Sequence, residues 1–350
     1  MRAVLPILEN QYIKKPTIQL GAKVTRDVTH QLLLSRQFAS FEELAEMVVA
    51  WDLDFRQLSK NYSTTTADQI LAGNILYSHL SSGCFATHAG ETPEGMCTIS
   101  LPDAGCPEFR FNDERIDRPV LIVSLPEQEF ELVQRPGYGI SNFSIPYAIF
   151  DEYCENNFGC PAEKMLKSRE RVIFIDPDMA ANLRSLQRNL SALARLPSDL
   201  PHPHNPIQSF ESQLLENFFD PLHQEKAISK EPKAASKTRI LKRAMEFMRD
   251  HEHEPFSVRD LSAVVTTSER TLQRLFNREF GISPKKYLFG HRMYGAHRQL
   301  WQSSPSETRI IDAANAWGFW HMGQFAKDYR SFFGELPSET LNRPGTTRYI

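Results

Sequence analysis

Two short stretches late in this chain carry side chains suited to one kind of chemistry, hydrogen bonding to the edges of nucleic-acid bases. In the first, Glu269, Arg270, Gln273, Arg274 and Asn277 fall away from an apolar stripe of Leu272, Leu275 and Phe276. In the second, His321, Gly323, Gln324 and Lys327 leave one side of a helix free of large apolar groups, and Phe325, Tyr329, Phe332 and Phe333 form the other. Arg and Gln make paired hydrogen bonds with guanine and adenine in the major groove, which admits an α-helix. Arg274 lies close to the apolar stripe, which suits a phosphate contact as well as a base.

Each such helix must be held by a second one across a tight turn. The stretch from Thr308 to Leu341 reads as that unit. Ile310, Ile311, Ala313 and Ala314 supply a first helix, Ala314 is small where two helices cross, and Gly318 can take the left-handed backbone of the turn. One such pattern fits any helical hairpin, but here it occurs twice. About 53 residues upstream, Phe276, Phe280, Gly281, Pro284 and Tyr287 repeat the spacing of Tyr329, Phe333, Gly334, Pro337 and Thr340, and Leu272 matches Phe325. Before the turn the offset is about 52, so Ser262 matches Ala314, Thr266 matches Gly318, and the second turn is one residue longer. Ser257 and Asp260 form a capping-box pattern before Val258 to Val265, and Ser268 caps the first polar helix. Ser283-Pro284 opens a helix running to about Gln302, a semi-rigid spacer between the two units.

A length of 350 residues allows two domains, and 41% hydrophobic with 24% charged residues is ordinary for a globular protein. No apolar run approaches the ~20 residues of a membrane span, and the first residues do not read as a secretory signal, so the expected location is cytoplasmic with no membrane partner. Cys84, Cys97, Cys106, Cys154 and Cys160 are odd in number and form no Cys-x-x-Cys pair, which reads as reduced thiols. The net charge of −3 divides unevenly at Lys237. From there on, 18 Lys and Arg face 12 Asp and Glu, net +6, against 22 facing 31 before it, net −9. The repeat sits in the basic part.

The acidic part opens with a helix over Phe41 to Trp51, capped by Ser40, after a short strand or helical turn near Val28 to Leu34. Extended runs follow at Gln69 to Leu80, Met96 to Leu101, Val120 to Leu125, Glu129 to Val133 and Arg171 to Ile175. Turns such as Arg135-Pro136-Gly137 and Ser144-Ile145-Pro146 separate them. This predicts an antiparallel, barrel-like or sandwiched sheet. Helical spacing returns at Asp178 to Leu196 and Gln208 to Leu222, around a Pro-rich segment. That pair suits either dimerisation or packing on its own sheet. His223 to Thr238 is polar and without periodicity, as a linker is.

Ser268, Leu272, Arg274, Phe276, Gly281, Pro284, Tyr287, Arg292 and Ala296, followed by Ala314, Gly318, Phe319, Phe325, Gly334 and Pro337, closely resemble the signature of the AraC/XylS family of bacterial transcription regulators over roughly 100 residues. The resemblance implies seven helices, with two recognition helices entering successive major grooves on one face of the duplex. Carried over by position, the base-edge candidates are Arg270, Gln273 and Arg274, then Met322, Gly323, Gln324 and Lys327; Ser268, Glu269 and His321 complete the expected DNA-binding set. Three positions depart from the pattern. Ser262 replaces Ala, Thr266 replaces a frequent Gly, and His321 replaces a small polar cap, which points to His321 itself contacting a phosphate or base. Trp317 to Phe325 looks like the version in activators of ethanolamine-utilisation operons, with thinner similarity at Glu43-Leu44, Ala50-Trp51, Gln57-Leu58 and Glu129 to Leu132.

Other constellations carry less. Trp317 and Phe319 read as core. Gly83 to His88 with Glu91 lacks the second His of a cupin metal motif, because position 90 is Gly. His202 and His204 lie in the Pro-rich loop, and His251 and His253 lack the spacing of a zinc protease helix, so both pairs read as surface histidines. No catalytic triad or phosphate loop is recognisable. The expectation is a multidomain α+β chain: a β-rich, barrel-like sensor and dimerisation domain with flanking helices over 1–225, a linker over 226–237, and an all-α DNA-binding domain over 238–345 with helix-turn-helix units at about 257–280 and 308–333. Its expected partners are promoter DNA, RNA polymerase, an unidentified small effector and a second copy of itself, with no cofactor, metal or catalytic residue. The alternative is a DNA-repair or other enzyme fused to the same module.

Overall fold

The structure is a computed structural model. It describes residues 30–343 apart from 49, 61–63, 73, 113, 167–169, 194–215, 219–235, 252–253 and 255. The Pro-rich segment with His202 and His204, residue His253, most of the Gln208 to Leu222 helix and the expected linker up to residue 235 therefore lie outside the described residues.

Alternation of inward and outward residues builds two antiparallel sheets. Seven strands form the larger: β1 (His30–Phe38), β3 (Thr65–Ala72), β4 (Ile75–Ser82), β11 (Tyr138–Pro146), β6 (Met96–Pro102), β9 (Val120–Ser124) and β12 (Glu170–Phe174), in that spatial order. The smaller orders β2 (Asp52–Gln57), β5 (Ala86–Glu91), β10 (Glu129–Gln134), β7 (Phe109–Phe111) and β8 (Glu114–Ile116). The sheets face one another. Phe38, Ala67, Phe55 and Ala86 fill one part of the space between them, and Phe109, Leu132, Ile122 and Ile140 another. The outer face of the seven-stranded sheet carries Tyr77, Ile99, Leu121 and Phe143, covered by α2 (Tyr147–Phe158), α3 (Ala162–Leu166) and α4 (Pro177–Leu193) through Phe150, Leu166 and Leu183. The apolar face of α4 is thus used on the chain's own sheet, together with Phe218 from the helical residues 216–218.

Several local readings are corrected. The helix over Phe41 to Trp51 is α1 (Phe41–Met47) and stops early, because Val48 turns extended and Ala50 takes a φ of 65° to bring Trp51 into the core. The run from Gln69 to Leu80 is a hairpin whose register pairs Ala72 with Ile75. Ser144 to Pro146 is no turn but the end of β11, paired with β6, and Pro146 then caps α2, a helix the sequence reading lacked.

Seven helices follow among the described residues: α5 (Ser236–Asp250), α6 (Val258–Val264), α7 (Glu269–Phe280), α8 (Pro284–Gln302), α9 (Ile310–Ala316), α10 (Met322–Phe333) and α11 (Pro337–Leu341). No helix among the described residues is long and apolar enough to cross a membrane. The α8 helix starts at Pro284 with Ser283 accepting from the Lys286 amide, as its sequence requires. Leu272, Phe276, Phe280 and Tyr287 make the first helical core, and Ala314, Trp317, Phe325 and Tyr329 the second, with Met293, Ala296 and Leu300 of α8 beneath it.

A buried histidine lies between the sheets. The ring of His88 sits 4.4 Å from that of Phe55 and 6.2 Å from that of Tyr138. Burial pushes its pKa down to about 3, so the imidazole is neutral. In the unfolded chain it would protonate below its ordinary 6.5. The unfolded state therefore takes up the proton first, and stability falls as pH drops through that value. Urea denaturation should show about 2 kcal/mol of this loss between pH 6.5 and 5, removed in His88→Gln. Equal pH slopes in both proteins would contradict it.

Candidate nucleic-acid interface

Both polar helices are launched by the same backbone device. After α9, the Gly318 amide donates to the Asn315 carbonyl (3.0 Å) and the Phe319 amide to the Ala314 carbonyl (2.9 Å). After α6, the Thr266 amide donates to Ala263 (3.1 Å) and the Thr267 amide to Ser262 (2.9 Å). Each is the paired bonding of a Schellman turn, with the first donor residue left-handed. Gly318 has a φ of 80°, and Thr266, in the equivalent place, a φ of 54°. A β-branched side chain pays for that conformation with a Cβ clash that glycine avoids. The first turn then reaches its cap at Ser268 and the second, one residue longer, at His321.

The inner faces are closed. Phe276, Phe280 and Tyr287 pack with ring centroids 5.1 to 5.5 Å apart, as do Phe319, Phe325 and Tyr329 at 5.1 and 5.5 Å. Trp317 is buried as core, its indole N–H donating to Gln299 at 3.1 Å. The outer faces are open: Ser268, Glu269, Arg270, Gln273 and Arg274 on one side and His321, Gly323, Gln324 and Lys327 on the other are exposed, with Met322 half-buried. Arg274 is thus clear of the buried stripe. The Ser268 hydroxyl already accepts from the Thr271 amide at 3.1 Å, so its structural part is the cap. Gln324 donates to Asp328 at 2.8 Å. His321 makes no side-chain cap bond, and a Cβ at Gly323 would meet nothing within 4 Å, so the start of α10 is accessible to a bulky partner.

A family profile described as a helix-turn-helix domain matches residues 261–343. The XylDLEGF operon transcriptional activator 3 of Pseudomonas putida is 34% identical over 101 residues, 29% of this chain and 30% of that protein. The probable thc operon regulatory protein of Rhodococcus erythropolis is 34% identical over 119 residues, 34% of this chain and 36% of that one. A crystal structure of a probable AraC family transcriptional regulator from Rhodopseudomonas palustris CGA009 is 34% identical, covering 30% of this chain and 96% of that chain, with a TM-score of 0.28. The chain belongs to the AraC/XylS family of helix-turn-helix transcription regulators. It spans about a third of the length of the curated relatives it matches.

In this AraC/XylS protein the outward exposure of the polar faces of α7 and α10 was legible from residue type and spacing. What that reasoning missed is Trp320, the extra residue of the longer turn, whose side chain is 69% exposed just ahead of the α10 cap. It also missed the first-domain residues that touch the helical cores, Leu58 and Phe85. Ion pairs cross between the two halves in both senses: Arg298 of the basic half pairs with Asp54 at 3.1 Å, and Arg110 of the acidic half pairs with Glu279 of the basic one at 2.6 Å.

The two turns predict opposite outcomes for one kind of substitution. Thr266→Gly should raise stability by about 1 kcal/mol, and Gly318→Ala should lower it by about 1 to 2 kcal/mol, in chemical denaturation. A destabilised Thr266→Gly would show that the hydroxyl or methyl outweighs the backbone.

Proposed function

We propose that this chain is a sequence-specific DNA-binding transcription activator that responds to a small ligand. The observation that carries the reading is the pair of matching turn-launched helices, both with polar outer faces open and both fixed to one buried helix. The bases are read by Arg270, Gln273 and Arg274 on α7 and by Met322, Gly323, Gln324 and Lys327 on α10. Glu269 and His321 flank them, and Ser268 holds the first helix in place. Basic side chains of the second domain contact phosphates and make affinity steeply salt-dependent.

The domain organisation that goes with this is a sensor and dimerisation domain over 1–225, a linker over 226–237 and the DNA-binding domain over 238–345. Support for sensing comes from the space between the sheets. There His88 Nε2, Gln134 Oε1 and Tyr138 Oη are buried without a hydrogen-bond partner among the described residues. Buried polar atoms ordinarily have partners, and a small polar effector is one way to supply them. The finer likeness of Trp317 to Phe325 to ethanolamine-operon activators makes ethanolamine the first effector to try, and an unchanged melting temperature in its presence would dismiss it. Binding as a homodimer, contact with RNA polymerase and a cytoplasmic location complete the proposal.

The test is enrichment of duplexes from a random library by the full-length protein, followed by Arg270→Ala and Gln324→Ala. Each paired base contact contributes ~1 to 3 kcal/mol of discrimination. The ratio of specific to random affinity should fall about tenfold or more, with the salt slope nearly unchanged. Discrimination equal to that of the unsubstituted protein would remove α7 and α10 from the groove.

A further inference from the structure

The first domain touches both reading helices, and it touches each at the same end. On α10, the Gln57 amide donates to the Phe332 carbonyl at 3.1 Å, and Lys60 bonds Ser331. On α7, the Arg135 guanidinium donates to the Arg278 and Glu279 carbonyls, each at 3.4 Å. These are last-turn carbonyls, which have no partner within their own helix and carry the negative end of its dipole. Side chains of another domain therefore serve as C-terminal caps for both reading helices. The faces and the first turns that meet a groove stay exposed.

The same domain also fixes the helix between them. The Leu58 backbone lies so close to Gly290 of α8 that a Cβ there would come within 2.8 Å of the Leu58 carbonyl carbon and 2.9 Å of its Cα. Seven residues on, Glu42 of α1 places Oε2 3.2 Å from Nε2 of His297, both side chains buried. His297 Nδ1 is 2.6 Å from the Tyr329 hydroxyl on α10, which is 2.8 Å from Thr340 Oγ1 on α11. Polar contacts thus run from α1, through α8, into the second reading helix. Burial raises the Glu42 pKa, but His297 and the hydrogen bonds outweigh it, so the carboxyl sits below its ordinary range and is charged.

We propose that the first domain sets the relative aim of the two reading helices, with Gln57 and Arg135 as positioning residues at their C-terminal ends and Leu58 and Glu42 locking α8 between them. The proposal rests on the DNA reading above. With both helices aimed, engagement of one groove makes the second contact intramolecular, and affinity depends on the spacing between the two sets of bases. Release of the grip leaves each unit able to bind but lets the pair wander.

The experiment uses the full chain and the duplex it enriches, the same duplex with the bases under one unit scrambled, and a third with one base pair inserted between the two sets. Gln57→Ala, Arg135→Ala and Gly290→Ala should each lose about tenfold on the intact duplex, change little on the scrambled one, and discriminate less against the insertion than the unsubstituted protein. Arg135→Lys, which keeps a cation at the end of α7, should restore most of the loss. Melting curves identify any variant that fails to fold, and the partly exposed Arg135 keeps the test open if Gly290→Ala does. Equal affinity of folded variants and the unsubstituted protein for all three duplexes overturns the proposal, as does an equal loss on the intact and scrambled ones. If the unsubstituted protein enriches no duplex, the DNA reading itself falls and takes the proposal with it.

Discussion

Most of this structure depends on how many neighbours one helix can bury at once. Over its 19 residues α8 gives Tyr287 and Leu288 to the first helical core and Met293, Ala296 and Leu300 to the second, and it receives Leu58 at Gly290 and Glu42 at His297. A helix surrounded this closely needs small residues where other chains cross it. Gly290 admits a backbone, and at Gly295 a Cβ would overlap the six-membered ring of Trp317. Each glycine costs about 1 kcal/mol of helix propensity, which the packing it permits must offset. At ~1.5 Å per residue the helix is ~28 Å long, comparable with the ~34 Å between successive major-groove faces of a duplex.

From that spine the rest follows in order. The two Schellman turns fix the angle between α6 and α7 and between α9 and α10, and the aromatic clusters behind Phe276 and Phe325 keep α7 and α10 from rolling. Because both inner faces are closed by aromatic packing, the polar residues have only the outer face left. The first domain adds its contacts at the C-terminal ends of α7 and α10, where they leave the polar outer faces uncovered.

How much of this could be read from the sequence depended on the range of the interactions. The second domain was legible almost to the residue, because its signals are local: Ser257, Ser268 and Ser283 cap helices, Gly281 and Gly334 end them with φ of 71° and 84°, and the repeat cross-checks both units. Thr266 was found as the counterpart of Gly318 even though its type argues against a left-handed residue. The first domain was legible in class but not in detail. Gly73-Asn74 is a two-residue hairpin signal inside what otherwise looks like one long strand, and Pro146 looks like a turn because a strand end and a helix start coincide there. The grip of Gln57, Arg135 and Glu42 on distant helices had no sequence signal, since each partner lies more than a hundred residues away and no local pattern records it.

The central claim is that two helices carried by one shared helix, α8, read one face of a duplex. Hydroxyl-radical footprinting of the full-length protein on an enriched duplex tests it most directly. The account predicts two protected patches centred about one helical turn apart, ~34 Å, on the same side of the DNA. A single patch, or two patches on opposite sides, would contradict it.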